Sequence, residues 1–419
     1  MFDTSMNNEI SFHYTESKNG FVSDLEVDYQ IFILWENSRS YEQEILKLLE
    51  NNFEVISKHE VLWSKRHVDA NFNRLYKNID KEIINKKSEH VGRGWFLVVF
   101  IKDKEPVYTY RKTVSGTIEL VNRRIIKIKR EIRDLCGDTY VHSTASPTEF
   151  YEQAILIFGV KGLHDILYGR RQNYSKLIKD LEGAEGWKDF RELFAVLEFC
   201  SRYVVLRNFE FLPDNFFEND KDVDILCDNV ADFISASNAS IQKLTPGGAK
   251  VEVSVSGYFV PFDIRFVGDE YYDEKWEYNI LKRREKNESN IFQPRIDDYY
   301  FSLLYHAALQ KSTIDEKYIN ILNKIAANLD FDFVAKSTFK SVKEVAVILD
   351  GFMRYYGYSY VTPKDKNVFV NFRVLRHISK DLGGGKSDWI IEIIRTLMPS
   401  NIKKLVPVSL KQKILEYLK

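Results

Sequence analysis

The sequence predicts an α+β protein built from more than one domain. Its 419 residues exceed the length of an ordinary single hydrophobic core, and 44% of them are apolar, which is too many for a disordered chain. In the first part of the chain, apolar runs with the spacing of β-strands alternate with amphipathic helical stretches, and helical spacing dominates from Asp297 onward. We therefore predict a polar lead at 1–28, mixed α/β domains at 29–160 and 161–290, and a helical domain at 291–419.

The first domain alternates strands and helices in a recognisable order. A buried strand, an amphipathic helix, a second strand, a polar helical stretch and the apolar strand GWFLVVFI are followed by a basic helix. A loop after His142 then leads into a segment of helical and then strand character. In order, the segments are Tyr29–Trp35, Ser38–Leu49, Phe53–Leu62, His67–Tyr76, Gly94–Ile101, Thr117–Arg133 and Thr148–Phe158. This order predicts a ferredoxin-like, split β-α-β sheet.

Several of these segments resemble nucleoside diphosphate kinases. The first strand and helix, the run FEVISKHEVLWSKRHVDANFNRLY, the strand containing FLVVF and the loop segment VHSTASPTEFYEQAILIF occur in the order seen in that family. The resemblance covers roughly the first third of the chain. In the family the last loop carries the catalytic histidine followed by small polar residues. The resemblance therefore implies a nucleotide ligand and a catalytic role for His142.

One departure from the family concerns the lysine that grips phosphate shortly after the first strand. That place reads Leu34-Trp35-Glu36 here, so a phosphohistidine cycle loses part of its charge stabilisation. Three interpretations of His142 stay open: phosphohistidine chemistry, nucleotide binding without kinase chemistry, and a structural histidine beside a helix N-terminus. Arginines elsewhere in the domain can bind phosphate through their planar guanidinium groups, namely Arg93, Arg111, Arg123 and Arg124.

Carboxylates in the second domain are predicted to share one face of a sheet. In the segment YVVLRNFEFLPDNFFENDKDVDILCD, Asp222 and Asp224 are two positions apart, so a strand points both side chains to the same side. Two like charges held there are costly unless a divalent cation neutralises them, and Mg²⁺ prefers such oxygen ligands. Asp263, in the later strand PFDIRF, adds a third carboxylate. We predict a Mg²⁺ or Mn²⁺ site at these three residues; the alternative is an exposed acidic strand end.

The order of these strands resembles the nucleotidyltransferase superfamily over about residues 196–270. A strand, a turn, a D-x-D strand and a later acidic strand follow one another. The resemblance implies that Asp222 and Asp224 bind metal and that Asp263 binds metal or activates the attacking group. The family's turn usually reads Gly-Gly or Gly-Ser, whereas this one reads Arg207-Asn208. The change implies phosphate contacts by a guanidinium and a side-chain amide, and it is compatible with a pyrophosphate-linked donor such as an activated alditol or sugar.

Four further features carry weaker signals. Lys282 and Arg283 belong to a basic cluster that contacts phosphate or acceptor in one interpretation and solvent in the other. His306 lies in an amphipathic helix, where acid–base catalysis and simple packing are alternatives. Residues 381–387 imitate a phosphate-binding loop but lack its first glycine, so we predict a loop between helices. Residues 401–419 are predicted to form a closing helix or a peripheral membrane contact.

Charge and cysteine content exclude several classes of protein. The chain has 60 Lys+Arg against 61 Asp+Glu, a net charge of −1, which excludes a bulk nucleic-acid binder. Its 3 cysteines are widely spaced without a C-x-x-C pair, so neither a disulfide framework nor a thiolate zinc site is expected. We see no apolar leader or membrane span in the sequence, and the expected location is cytoplasmic.

Together these observations predict a Mg²⁺-dependent transferase. It would move a phosphorylated group from a nucleotide or nucleotide-linked donor to a hydroxyl acceptor such as a glycan, in surface-polysaccharide biosynthesis. One alternative is a nucleotidyltransferase that adds NMP to a protein, a nucleic acid or a small molecule, and another is a non-catalytic nucleotide-sensing protein. The predicted architecture is a ferredoxin-like N-terminal domain, a nucleotidyltransferase-like mixed sheet and a helical C-terminal region.

Overall fold

The structure, a computed structural model, divides the chain into two compact units. The division falls after Ala184. Both units combine a mixed sheet with helices, so the predicted α+β class is confirmed. The predicted features at 381–387 and 401–419 lie outside the described residues. The structure describes residues 27–77, 87–112, 118–137, 139–169, 173–219, 221–329, 339, 341–375 and 377–378.

The first unit is built on a five-stranded sheet with the order β6-β1-β3-β2-β7. Its strands, with the separate hairpin β4–β5, are β1 (Asp28–Leu34), β2 (Glu54–Leu62), β3 (Phe96–Asp103), β4 (Tyr108–Lys112), β5 (Ile118–Asn122), β6 (Val141–Ser143) and β7 (Tyr174–Ile178). β1 is antiparallel to β3 and β6, whereas β2 is antiparallel to β3 and parallel to β7. Because β7 joins this sheet, the first unit extends beyond residue 160, where the sequence placed a boundary.

Helices cover both faces of this sheet. They are α1 (Glu42–Asn52), α2 (Val68–Leu75), α3 (Arg123–Cys136) and α4 (Pro147–Leu167). On the other face from α1 and α3, the rings of Phe150 and Phe158 in α4 pack against Phe100 in β3, with centroids 6.1 and 5.3 Å apart. Alternate residues of β1 and β3 form the core with α1 and α3, including Phe32, Leu34, Leu97, Val99, Ile45, Leu49, Ile125, Ile128 and Ile132.

Two segments of this unit differ from their predictions. Thr117–Arg133 was expected to be one helix, but residues 118–122 form β5, and α3 starts after Asn122, whose side chain accepts a hydrogen bond from the Arg124 amide at 2.9 Å. Thr148–Phe158 is helical throughout, without strand, and α4 continues beyond Gly159, where φ is 76° and the helix bends. An apolar run in a buried helix is indistinguishable from a buried strand by periodicity, which explains the second error.

A buried polar cluster joins β1, β3 and α3. Asp28 and Asp103 are 3% and 0% exposed, and the Asn122 amide donates to both carboxylates at 3.0 Å. Arg124 donates to Asp103 at 2.5 Å and to two backbone carbonyls. Burial raises the pKa of Asp28 to about 6, although hydrogen bonds from Asn122 and Gln30 favour its ionised form. Arg124 is therefore a counter-ion of this cluster.

The second unit is built on a five-stranded sheet with the order β10-β11-β12-β9-β8. Its strands are β8 (Tyr203–Val205), β9 (Val223–Cys227), β10 (Ser240–Thr245), β11 (Gly248–Val255) and β12 (Tyr258–Phe266), and a separate pair is formed by β13 (Glu285–Lys286) and β14 (Phe292–Gln293). β9 and β12 are parallel, and the other neighbours are antiparallel. β11 and β12 are joined by a turn at Ser256 and Gly257, with φ of 53° and 79°.

The helices of the second unit include α9, which is buried from Asp297 to Leu309. They are α5 (Phe190–Cys200), α6 (Phe216–Asn219), α7 (Val230–Ser237), α8 (Glu274–Lys282), α9 (Ile296–Leu309), α10 (Glu316–Ala326), α11 (Val342–Tyr356) and α12 (Phe372–Leu375). α10, α11 and α12 pack against α9, as the helical spacing after Asp297 predicted. Among the described helices, none is long and apolar enough to cross a bilayer.

Replacing Arg124 by Met should destabilise the first unit. The change leaves the buried Asp103 carboxylate without its cation, and we expect the free energy of unfolding to fall by about 2–3 kcal/mol. Urea unfolding followed by circular dichroism measures this loss. The exposed neighbour Arg123, replaced by Met, provides a control of the same charge and should stay within about 0.5 kcal/mol. Equal losses in both variants would contradict the role of Arg124.

Candidate functional site

The two strands that carry the predicted carboxylates lie side by side. The parallel register places Asp263 of β12 directly opposite Asp224 of β9. Val223 and Ile225, on either side of Asp224, are 2% and 0% exposed, so the alternation of the strand directs the carboxylate to the opposite face. Asp222 lies immediately before β9 and two positions before Asp224, so the same alternation directs its side chain to the face of Asp224. All three aspartates are half-buried, and the register places two of them, Asp224 and Asp263, opposite each other.

Arg207 is paired with Asp224. The residue before it donates a backbone hydrogen bond to the Asp224 carbonyl at 2.8 Å, and Asn208, with φ of 57°, then turns the chain. The guanidinium donates from Nε to Oδ2 at 3.0 Å and from Nη2 to Oδ1 at 2.5 Å. Burial disfavours its charge, but the carboxylate of Asp224 holds the pKa of Arg207 well above its usual value. Arg207, which the sequence predicted to bind phosphate, is therefore ion-paired with Asp224, which the sequence predicted to bind metal.

A buried polar chain leads from Arg207 to His306 on α9. Nη1 of Arg207 donates to the Tyr271 hydroxyl at 3.5 Å, and that hydroxyl lies 2.9 Å from Nδ1 of His306. Gln310 donates to the Tyr271 carbonyl at 3.0 Å. Burial, and then the positive charge of Arg207, lowers the pKa of His306 well below its ordinary value. His306 is therefore neutral near pH 7 and is hydrogen-bonded within this chain.

Two further cations lie near these carboxylates. Lys250 on β11 places Nζ 3.2 Å from Oδ1 of Asp263. Arg265, two positions after Asp263 on β12, lies over the Tyr271 ring at 4.2 Å and is 3.4 Å from the Asp365 carboxylate. Asp224 and Asp263 thus each have a cationic partner from the chain itself.

The carboxylate oxygens of Asp224 and Asp263 are of the kind that Mg²⁺ or Mn²⁺ binds, and the strand register sets these residues opposite each other. A cation can bind there only if Arg207 moves. Across the described residues, no group of three or more His, Cys, Asp or Glu side chains converges closely enough to hold a metal. Mg²⁺ needs only one or two carboxylates, because water and substrate phosphates complete its shell. Asp224 and Asp263, opposite each other on adjacent strands, provide that number. Since Arg207 holds both oxygens of Asp224, a cation there has to displace the guanidinium.

The two predicted binding residues at the end of α8, Lys282 and Arg283, lie in different environments. Lys282 is exposed. Arg283 donates to both oxygens of Asp298, at 3.0 and 2.6 Å, and the Asp298 side chain is 0% exposed. Arg283 is thus the counter-ion of a buried aspartate in the first turn of α9. A phosphate contact by these two residues stays a prediction.

In the first unit, hydrogen bonds define the state of His142. The residue lies on β6, and its Nε2 is 2.8 Å from Oε1 of Gln153. The Gln153 amide nitrogen donates to the Leu75 carbonyl and to Glu149, both at 3.4 Å, so its oxygen is the acceptor for His142. This assigns the proton of the neutral ring to Nε2 and leaves the lone pair on Nδ1. Nδ1 is therefore the nucleophilic nitrogen.

Cations surround His142. Lys129 and Arg133, one turn apart on α3, donate to backbone carbonyls of β6 at 3.0 and 3.3 Å. Nζ of Lys87 lies 3.1 Å from the centroid of the Tyr76 ring, which meets His142 edge-on at 5.1 Å. Burial lowers the pKa of each lysine to about 8, and burial followed by the charges of Lys129 and Lys87 lowers the pKa of His142 well below its usual value. Such a positive cluster favours an anionic ligand.

The structure brings none of the four predicted arginines into a contact with His142. Arg93 donates to Asp69 at 2.9 Å, and Arg124 belongs to the buried cluster around Asp103. Arg111 and Arg123 are exposed. The cations near His142 were missed, although the four-residue spacing of Lys129 and Arg133 within the predicted basic helix was a signal for two of them. Lys87 and Tyr271 had no comparable local signal, because only the tertiary fold places them.

The chain matches no protein-family model and no curated protein sequence. Its function is therefore inferred from the geometry of its own residues.

Replacing Lys129 by Met should raise the pKa of His142. A nearby positive charge disfavours the imidazolium form, so its removal shifts the pKa of the ring upward, although burial keeps it below the ordinary value. An NMR titration of the His142 ring measures the shift. Lys127→Met is the matched control, because Lys127 is on the same helix with a side chain 74% exposed. An unchanged His142 pKa in Lys129→Met would contradict the proposed electrostatic coupling.

Proposed function

We propose that the second unit is a divalent-cation-dependent transferase with a nucleotidyltransferase-like sheet. It moves a phosphorylated group from a nucleotide-linked donor to a hydroxyl acceptor. The observation that carries this proposal is the parallel register of β9 and β12, which sets Asp263 directly opposite Asp224 on the polar face of the sheet. Carboxylates on adjacent strands would supply oxygen ligands to Mg²⁺, and the cation would neutralise charge on the phosphates of the donor.

The proposed reaction assigns a role to each of four side chains. Asp224 and Asp263, with Asp222 beside them, hold the cation, which when bound neutralises charge on the donor diphosphate. Arg207 binds a phosphate oxygen of the donor through the same N–H groups that it now directs at Asp224. Asp263, 25% exposed, orients the acceptor hydroxyl and takes its proton at a carboxylate oxygen.

The bond changes follow from a diphosphate-linked donor. The acceptor oxygen attacks the phosphorus that carries the transferred group, and the bond from that phosphorus to the bridging oxygen breaks. The leaving group is the nucleoside monophosphate, which distinguishes this reaction from transfer of NMP with release of pyrophosphate. We assign the acceptor to the glycans and the location to the cytoplasm, as the sequence predicts.

A second function concerns the first unit, which we propose to be a ferredoxin-like, nucleoside-diphosphate-kinase-like domain that binds the phosphates of a nucleotide. Its strand order β6-β1-β3-β2 and the cations around His142 support this assignment. Lys129 and Lys87 supply positive charge beside His142, in a domain where the place of the family's lysine reads Leu34-Trp35-Glu36. Nδ1 of His142 is the atom to which a phosphoryl group would be transferred if the unit also has kinase chemistry.

The proposed role of the carboxylates predicts what happens when an aspartate is replaced by asparagine, which has the same shape but no charge. We expect Asp224→Asn and Asp263→Asn to lower transfer by at least about 100-fold, because each removes a charged ligand. Turnover of CDP-alditols is followed by ³¹P NMR, with CTP, UTP and ATP as alternative donors. Asp228→Asn, at the other end of β9, is the control and should retain turnover. Undiminished turnover in Asp224→Asn excludes this mechanism, and pyrophosphate release would favour the nucleotidyltransferase alternative.

The first unit is tested by nucleotide affinity. Lys129→Met should weaken ADP binding by about tenfold, since it removes one charge-assisted contact, whereas Lys127→Met should not. Binding to the wild-type protein should also weaken as pH rises through about 8, because Lys87 and Lys129 then lose their protons. Isothermal titration calorimetry measures both effects. ADP affinity that is the same in all three proteins would contradict the assignment, and acid-labile phosphate on His142 after incubation with ATP would add kinase chemistry to it.

A further inference from the structure

We infer that Arg207 is an internal competitor of the divalent cation, so that the carboxylate site is closed until the donor phosphate draws the guanidinium away from Asp224. This inference rests on the proposed function of the second unit and adds a regulatory step to it. The step makes binding of cation and donor mutually dependent.

The geometry of the pair carries the first part of the argument. Arg207 donates to both oxygens of Asp224, and the two side chains are only 11% and 18% exposed. A two-pronged contact of this kind neutralises the carboxylate and occupies the positions from which it would bind a metal. A guanidinium and a divalent cation at the same carboxylate also repel each other, and the low exposure of the pair leaves this repulsion weakly screened. The cation therefore has to displace Arg207.

The remaining contacts of Arg207 show how little holds the guanidinium once it has left Asp224. Its other hydrogen bond in the described structure goes to the Tyr271 hydroxyl, at 3.5 Å. Tyr271 is in turn fixed by His306 and Gln310. Among the described residues, Arg207 has only this long hydrogen bond besides its contacts with Asp224, so release of the carboxylate leaves a buried cation that needs another anion. A donor phosphate meets that need, because guanidinium groups bind phosphate with the same planar geometry as carboxylate.

The two binding events are then coupled in both directions. Phosphate that binds Arg207 frees Asp224 for the cation, and a cation on Asp224 frees Arg207 for phosphate. A cation bound without donor is disfavoured, since it must break the internal pair without compensation. The Arg207-Asn208 turn, which replaces the glycines of the nucleotidyltransferase turn, is what makes this coupling available: backbone amides cannot pair with Asp224 as a cation.

The test is a Mn²⁺ titration of the full chain, with free Mn²⁺ read from its electron paramagnetic resonance signal. Arg207→Met should bind Mn²⁺ about tenfold more tightly than the wild type, because its Asp224 is free. Arg207→Lys keeps a positive charge but loses the two-pronged contact, so an intermediate affinity is expected. Inorganic phosphate, corrected with a protein-free blank, should tighten Mn²⁺ binding to the wild type several-fold and leave Arg207→Met unchanged.

Two controls separate the possible outcomes. Arg191→Met removes an exposed arginine that is also paired in two-pronged fashion, with Asp214 at 2.7 and 2.5 Å, and should leave Mn²⁺ affinity unchanged. Arg207→Met combined with Asp224→Asn should lose the gain in affinity. If the wild type and both Arg207 variants bind Mn²⁺ equally, the competition is wrong although the metal site stands. If none of them binds Mn²⁺, the proposed cation-dependent function itself fails.

Discussion

The parallel pairing of β9 with β12 is the constraint on which the second unit's site depends. Parallel neighbours require a crossover, which here consists of α7, β10 and β11. Ile225 and Ile264 are 0% and 1% exposed, and each lies next to an aspartate, so burial of the apolar residues sets the face on which Asp224 and Asp263 project. A slip of one residue would bury both carboxylates and expose the core. Hydrophobic packing thus fixes the geometry of the polar groups.

The two candidate sites differ in how their half-buried charges are neutralised. In the second unit Asp224 has Arg207 and Asp263 has Lys250, so the chain neutralises its own carboxylates. In the first unit the lysines around His142 hydrogen-bond to backbone or lie over a ring, and burial lowers their pKa values although Glu149 partly offsets the charge of Lys129. A self-neutralised site needs a ligand that breaks its internal pair, whereas a cationic site attracts an anion directly. The net charge of −1 conceals this difference.

The sequence predicted those features of the fold that depend on the spacing of apolar residues within short segments. The alternation in β9 and β12 and the helices after Asp297 both follow from spacing that short segments carry. The helix predicted from Thr117 failed at its start because pairing with β4 makes residues 118–122 a strand. The contact between Arg207 and Asp224 was not foreseen, since it depends on the alignment of β8 with β9 and on the turn at Asn208. Side-chain partners are set by tertiary geometry, which a single sequence encodes only indirectly.

The pairing of Arg207 with Asp224 also has a consequence for stability. Carboxylates at Asp222, Asp224 and Asp263 would repel one another on one face of the sheet if no cation were present. An arginine supplied by the chain removes part of that repulsion without a metal ion. In the proposed cation site, the same contact would weaken metal binding by the free energy of the ion pair. Stability without ligand and affinity for the proposed cation would then be opposed at a single residue, and Arg207 would set the balance between them.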